Sequence, residues 1–511
     1  MRAWGGGVAM GIATAIACGE STPPVDEGEH ASTSGAAAEA DSAASSGVAT
    51  GGEADSGGTT GEPYAPWSEG RPIPEDTPVN GDPASGEWAL LHEGYVSCGI
   101  PYDLFGLAKS QLGAFASGEP LPGREGKNAT VPYNWTVHVA ASGAEIVSLN
   151  CLECHAGEWN GELVVGLGKA DVDYTADASE SIGAITVPDL PIAGLEELAR
   201  FVERYRVIGP AIVMYTVGTN PADEVAVVLA NHRDRETLAW LDEPQQELPD
   251  LVAPVDTPPW WRVKKKHGLF YNGMARGDHR GSMMFASSLC TDTVEEANSI
   301  LAYFNNVRAY IDSIEAPPYP FAIDEVLASE GEAVFGAYCA GCHGTYGETD
   351  ADDTYPNLVF PLDLIGTDPL VAQSAAASPL VEWFNGSMYG EVTQLVVDDP
   401  LIGYTAPPLD AVWATGPFLH NGSVPTIELV LDSSARPKWW KRIDYDSANF
   451  DDVGLGWPFV EVPYSWDDAP ADVQKHVYDT TKLGHTNVGH TFGDLLTPEE
   501  RRAVLEYLKT I

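Results

Sequence analysis

The chain has 511 residues, with 27 Lys and Arg against 75 Asp and Glu, a net charge of 27 − 75 = −48. That balance excludes a nucleic-acid binder that works by neutralising phosphates, which needs a basic face. An apolar fraction of 44% is ordinary for a globular chain, so a core can form beneath an acidic surface.

Arg2 precedes a weakly apolar run, Val8 to Ala17, too short to span a bilayer as a helix. Ala15-Ile16-Ala17 fits a small-residue cleavage pattern, so residues 1–17 read as an export signal. Cys18 follows directly, as in a bacterial lipoprotein, and predicts acylation there and an outer-membrane anchor. The plainer alternative is a secretory signal with an incidental Cys18. Either way the mature chain is expected outside the cytosol, facing the periplasm or the cell surface.

Residues 18–70 read as a disordered, acidic Gly/Ser/Ala-rich tether. Gly19–Gly70 holds ten acidic residues and no Lys or Arg. Its few large apolar groups do not offset the entropy of ordering it. From Arg71 onward the charge is still 26 − 65 = −39, so the acidity belongs to the folded part too.

Seven cysteines follow the pattern Cys18, Cys98, Cys151, Cys154, Cys290, Cys339 and Cys342. Four lie in two C-x-x-C-H units, Cys151-Leu152-Glu153-Cys154-His155 and Cys339-Ala340-Gly341-Cys342-His343. This is the attachment signature of c-type haem. Two thiols form thioethers with one porphyrin, and the following histidine lies under the iron. The competing readings are a redox dithiol, which needs a βαβ context, a structural zinc site, which needs four ligands, and simple disulfides. Two covalent haems c are expected, with His155 and His343 as proximal ligands. Cys98 and Cys290 are left over, to be read as a disulfide or as two buried thiols.

Helical spacing from Ile323 to Tyr338 aligns Leu327, Gly331, Val334, Phe335 and Tyr338 just before the second motif. Thr497-Pro498-Glu499-Glu500 reads as N-cap, N1 proline and capping-box Glu for a last helix carrying Val504, Leu505, Leu508 and Ile511. Thr293-x-x-Glu296 opens a similar closing helix, ended by Ala316-Pro317-Pro318-Tyr319-Pro320. The expected architecture is mainly α with extensive loops, in two cytochrome c-like domains, 85–318 around haem 1 and 319–511 around haem 2. Trp159 to about Pro259 mixes strand-like, loop and helical signals without a clear order.

The sixth ligand decides each haem's chemistry, because an open distal face binds oxygen or peroxide and a capped one carries electrons. Candidates at haem 2 are Met388, His420, His476, His485 and His490. His490 leads, since Gly489 and Gly493 flank it and it lies just before the last helix. His420, in Phe418-Leu419-His420-Asn421-Gly422, sits at an Asn-Gly turn and reads as a supporting histidine. At haem 1 the candidates are Met214, His267, Met274, His279, Met283 and Met284, and none stands out. Arg262 and Lys264-Lys265-Lys266 form a basic cluster that could face haem propionates or be a solvated loop.

Two C-x-x-C-H units together with Ala406-Pro407-Pro408-Leu409 through Pro417-Phe418-Leu419-His420-Asn421-Gly422-Ser423-Val424-Pro425-Thr426 resemble the dihaem cytochrome c peroxidase superfamily, nearest to its branch of latex-cleaving rubber oxygenases. The resemblance covers residues 85–511. It implies a bis-His second haem with its distal histidine near the C-terminus, as His490 is, and a first haem open to oxygen. Ser434 stands where peroxidases of the superfamily place a ligating methionine. The expected function is that of a dihaem oxidoreductase, with haem 2 for electron transfer and haem 1 reactive toward oxygen or peroxide. The alternatives are a pure electron carrier with both haems capped, and a dioxygenase of polyisoprenoids. Expected partners are an electron-donor protein, a small oxidant and, through Cys18, a membrane, but no nucleic acid. The abundant acidic loops leave a calcium ion open.

Overall fold

The computed structural model describes residues 65–511 apart from 78–79, 117, 186, 188–190, 248–251 and 398–401. The expected signal peptide, Cys18 and the tether up to residue 64 lie outside the described residues. The last part of that tether is not free chain. A short 3-10 helix, Pro66–Glu69, carries Trp67, and Arg71–Pro72 pairs antiparallel with Leu358–Pro361.

The expectation of a mainly α chain in two cytochrome c-like domains is overturned. Of the described residues 40% are helical and 13% are in strands. The strands form five small sheets. Two of these sheets draw strands from both sides of residue 318. Ala275–Gly277 pairs with Thr393–Leu395, and Arg71–Pro72 with Leu358–Pro361. Both haem motifs therefore sit in one compact unit, Pro63–Ile511. Most of these strands are two to four residues long, too short to show an alternating pattern. The unordered stretch after Trp159 resolves mainly into the helices Ala178–Gly183, Leu195–Ala211 and Ala222–Asn231.

The helices that position the motifs form where the spacing predicted. Glu325–Tyr338 leads into the second motif and crosses the last helix, Pro498–Tyr507. They cross at Gly331, where a Cβ would stand 1.9 Å from the Ala503 carbonyl oxygen. An equivalent crossing pairs Pro83–His92 with Val294–Asp312. There a Cβ on Gly86 would stand 1.9 Å from the Asn306 carbonyl oxygen. Backbones this close allow glycine alone, and the crossings bury Phe335, Val504 and Leu508 on one side and Ile300, Phe304 and Val307 on the other.

Thr497 caps the last helix in a full capping box with Glu500. Thr293 caps Val294–Asp312 in half of one: its side chain accepts from Glu296 N–H, but Glu296 reaches back to the Asp292 amide instead of Thr293. Thr497→Ala is expected to cost about 1 kcal/mol, read as a lower urea midpoint with unchanged slope.

Cys98 and Cys290 form a disulfide with Cα atoms 5.6 Å apart, within the usual range for such a bridge. This settles the two leftover cysteines. The bridge ties the sheet of Ile100–Pro101, Trp135–Val139 and Glu145–Leu149 to the segment just before Val294.

Candidate haem centres

Each motif is a single helical turn. His155 N–H donates to the Cys151 carbonyl at 3.1 Å, and His343 N–H to the Cys339 carbonyl at 3.0 Å. Cys at i, Cys at i+3 and His at i+4 then share one face. All four thiols are free. Burial pushes Cys151 and Cys342 up to about 11 and Cys339 up to about 12. Reactive dithiols have lowered values, so a thioredoxin-like role is a poor fit.

At the second motif, His343 Nδ1–H donates to the Pro407 carbonyl at 2.8 Å. This bond fixes the ring and leaves Nε2 as its free lone pair. His490 faces it, with ring centres 6.2 Å apart and planes at 60°. Two imidazoles that share one metal at about 2.0 Å per bond place their ring centres roughly 6 Å apart. Both rings are in the neutral, ligating form. Burial lowers the His343 pKa, and burial together with His343 brings His490 to about 3. His490 Nδ1 is buried with no hydrogen-bond partner. The residues present therefore fit a haem held by Cys339, Cys342, His343 and His490.

The backbone that presents His490 is tightly held. Gly489 has φ +75°, and a Cβ there would stand 2.1 Å from the Gly366 carbonyl carbon. Its glycine is needed against the Gly366–Thr367 backbone, a neighbour the sequence did not reveal. His490 itself has φ +44°, and its N–H donates to the Ile365 carbonyl at 2.7 Å. Arg436 donates to the carbonyls of Asn487, Gly489 and His490 at 2.6, 2.7 and 3.2 Å. Asn421 Nδ2 donates to the carbonyls of Gly484 and Thr486, both at 3.0 Å. Sequence reasoning missed Arg436, and nothing about an isolated arginine before Pro437 would have singled it out.

At the first motif, the His155 ring stacks on Trp260 at 4.8 Å, and burial holds its pKa near 4 against the Pro258 carbonyl. Cys154 Sγ lies 3.3 Å from Asn220 Nδ2 and 3.8 Å from Tyr174 Oη. Pro258 lies beside His155 as Pro407 lies beside His343, but His155 Nδ1 is buried with no hydrogen-bond partner, whereas His343 Nδ1 donates to Pro407. The signal for both was in the sequence, as Pro258-Pro259 and Pro407-Pro408. Among the described residues, His155 has Trp260 as its one ring neighbour, and no imidazole faces it as His490 faces His343.

The remaining candidates separate. Met388, Met274 and Met284 lie in the core cluster that holds Leu152 and Trp260, with Met283 packed against it. Met388 thus sits on the first-motif side. Met214 is buried, its N–H donating to the Tyr174 carbonyl at 2.8 Å. His279 Nε2 meets the His267 carbonyl at 3.2 Å, and His267 Nδ1 the Ile73 carbonyl at 3.0 Å. His476 pairs with Tyr445 Oη at 3.1 Å, and His485 with the Leu483 carbonyl at 3.3 Å. His420 is buried, stacks on Tyr404 at 4.3 Å, and leaves Nε2 without a partner.

The basic cluster is not a solvated loop. Arg262 is buried and donates to the Asp410 carbonyl at 2.9 Å. Lys264 pairs with Glu315 and Asp350, and Lys265 with Asp353 and Asp410. Asp350, Asp353 and Asp410 bring ligand atoms within 4.8 Å of one another, the one grouping among the described residues suited to a cation. Each of the three carboxylates already pairs with Lys264 or Lys265.

Buried neutral histidines make stability depend on pH. Burial lowers His420 and His485 from 6.5 to about 4. In this window the unfolded chain binds the proton and the folded chain does not. The stability they supply is complete above about pH 6.5 and is lost as the pH falls toward 4, by about 2 kcal/mol per residue between pH 7 and pH 5. Buried carboxylates raised to about 7, Asp256 and Glu224, act in the opposite sense. The informative measurement is therefore a difference: His420→Gln should flatten the fall in urea midpoint relative to the parent chain by that amount.

Residues 403–441 match the family described as RoxA-like, cytochrome c-like. That match supports a cytochrome c of the RoxA-like kind, and a cytochrome c-like domain implies covalently bound haem c. The matched stretch holds Pro407, Asn421 and Arg436, which anchor His343 and the His490 segment. The uncharacterized protein y4iJ of Sinorhizobium fredii is 30% identical over 294 residues, 45% of this chain and 47% of its own length. The uncharacterized protein y4iM of the same bacterium is 26% identical over 321 residues, 55% of this chain and 69% of its own length. The chain thus spans about half the length of the first of these relatives.

Proposed function

We propose that the chain is a dihaem c-type cytochrome with oxidoreductase activity. Cys151, Cys154 and His155 hold haem 1, and Cys339, Cys342, His343 and His490 hold haem 2. Bound haem supplies reversible one-electron chemistry and, at an open iron, oxygen or peroxide binding. The observation that carries this reading is the asymmetry of the two histidines. His343 faces His490 across 6.2 Å, whereas His155 has Trp260 beside it and no imidazole opposite. Held by His343 and His490, haem 2 would supply electron transfer, and haem 1 beside His155 would supply a site for a small oxidant. The Pro407 carbonyl orients the His343 ring, Trp260 stacks on the His155 ring, and burial keeps both imidazoles neutral.

An exported chain anchored through Cys18, taking electrons from a donor protein, completes the proposal. The likeness to a RoxA-like cytochrome favours a second reading, oxidative cleavage of polyisoprenoids at haem 1. One experiment separates the classes. A pyridine haemochrome assay should give two covalent haems per chain, and the reduced protein should bind one equivalent of carbon monoxide. Two haems inert to carbon monoxide would leave a pure electron carrier. Chromatography of latex incubated with the protein decides the substrate.

A further inference from the structure

Arg442 ends the strand Trp439–Arg442 and is 6% exposed. Its Nη1 and Nη2 are both buried without a hydrogen-bond partner. Trp457 and Tyr445 flank the guanidinium, with ring centres 4.5 and 5.0 Å away. Among the described residues no ion pair engages it, and Asp171 and Asp256 attract it only through space. It borders a small cleft lined by Thr216, Thr219, Gly422, Tyr445, His476 and Tyr478.

Other buried guanidiniums here, such as Arg124 and Arg262, are satisfied by backbone carbonyls, but Arg442 has no acceptor at either terminal nitrogen. Desolvation costs several kcal/mol, and arginine does not escape by losing its proton near neutrality. The location indicates which anion. Nη2 lies 3.8 Å from where a Cβ on Gly218 would stand. Gly218 N–H donates to the Val172 carbonyl at 2.8 Å, Lys169 N–H to the Cys154 carbonyl at 2.9 Å, and Asn220 Nδ2 to Cys154 Sγ at 3.3 Å. Arg442 therefore abuts the two loops, 169–172 and 216–220, that close over the first motif. The nearer basic cluster is unsuited to the task. Arg262 already donates to the Asp410 carbonyl, and Lys264 and Lys265 pair with Asp350, Glu315, Asp353 and Asp410; Lys266 is buried on the same turn and does not border this cleft.

We propose that Arg442 is the counter-charge to a propionate of the haem attached at Cys151 and Cys154. A guanidinium matches a carboxylate with two parallel hydrogen bonds. This positions the porphyrin edge and removes a negative charge that would favour ferric iron. The inference rests on the dihaem reading above.

The test compares the parent chain with Arg442→Gln, Arg442→Leu and Arg442→Lys by spectroelectrochemical titration across the neutral pH range, after a haemochrome count on each. In the Gln and Leu variants one of the two haem waves should move to lower potential or become pH-dependent, while the other stays. The Lys variant should keep the parent potential yet shift the propionate bending band in resonance Raman, because a point charge replaces a fork. Unchanged waves in the Gln and Leu variants overturn the proposal. If those two fail to load haem, an unshifted Raman band in the Lys variant overturns it instead. So does a parent potential that responds saturably to added acetate, which would mark an open anion site. Fewer than two haems on the parent chain would defeat the dihaem reading, a result distinct from any of these.

Discussion

On the ligation proposed above, His490→Ala is expected to turn the haem at His343 from a six-coordinate into a five-coordinate centre. The reduced protein should then take up one more equivalent of carbon monoxide per chain, and a high-spin ferric signal should appear in the EPR spectrum. The reason is geometric. Among the described residues, the His490 ring is the one imidazole facing His343, and the loop bearing it is fixed by Arg436, Asn421 and the Ile365 carbonyl. His490 has φ +44°, where alanine carries a strain of about 1–2 kcal/mol. His490→Gly removes the strain and keeps the vacancy, so added imidazole should restore the low-spin spectrum. An unaltered spectrum in both variants would mean that another side chain caps this haem.

Loss of the Cys98–Cys290 bridge should have the largest effect on stability. The two residues are 192 positions apart, so the crosslink closes a very long loop in the unfolded chain. Chain-entropy reasoning places the cost of Cys290→Ala at about 4–5 kcal/mol. For a unit of this size, unfolding entropy of about 2 cal/mol/K per residue converts this to a fall of about 4–5 °C in Tm. Calorimetry of the variant, and of the parent chain under reductant, checks it. Equal Tm values for all three would show that the bridge does not constrain the unfolded state.

The two haem motifs and the helices that flank them were legible because their signals are local. Cys-x-x-Cys-His fits within one helical turn, and Thr497 to Glu500 spells out a helix start within four residues. The sheets were not legible. Gly268–Leu269 and Arg71–Pro72 are two residues each, and their partners lie elsewhere in the sequence. The pairing of Ala275–Gly277 with Thr393–Leu395 is tertiary and leaves no periodic trace. The same holds for the parts of the site that hold the ligands. Arg436 and Asn421 act on carbonyls more than fifty residues away, so their roles exist only in three dimensions. The partners of the basic cluster were hidden for the same reason. Four cations in five positions suggested a solvated or propionate-facing patch, and the fold brings Asp350, Asp353, Asp410 and Glu315 to two of them, Lys264 and Lys265.

Trp260 stacks on His155, while its neighbour Trp261 donates Nε1–H at 2.9 Å to the carbonyl of Asp410, three residues beyond the Pro407 that holds His343. One peptide unit thus joins the supports of both proximal rings. The two C-x-x-C-H motifs are linked through the Trp260–Trp261 pair, and a perturbation at Trp261 should register at both His155 and His343. On the dihaem reading proposed above, thermodynamic reciprocity then requires that whatever the charge state of one haem does to the affinity of the other for an electron be returned in equal measure.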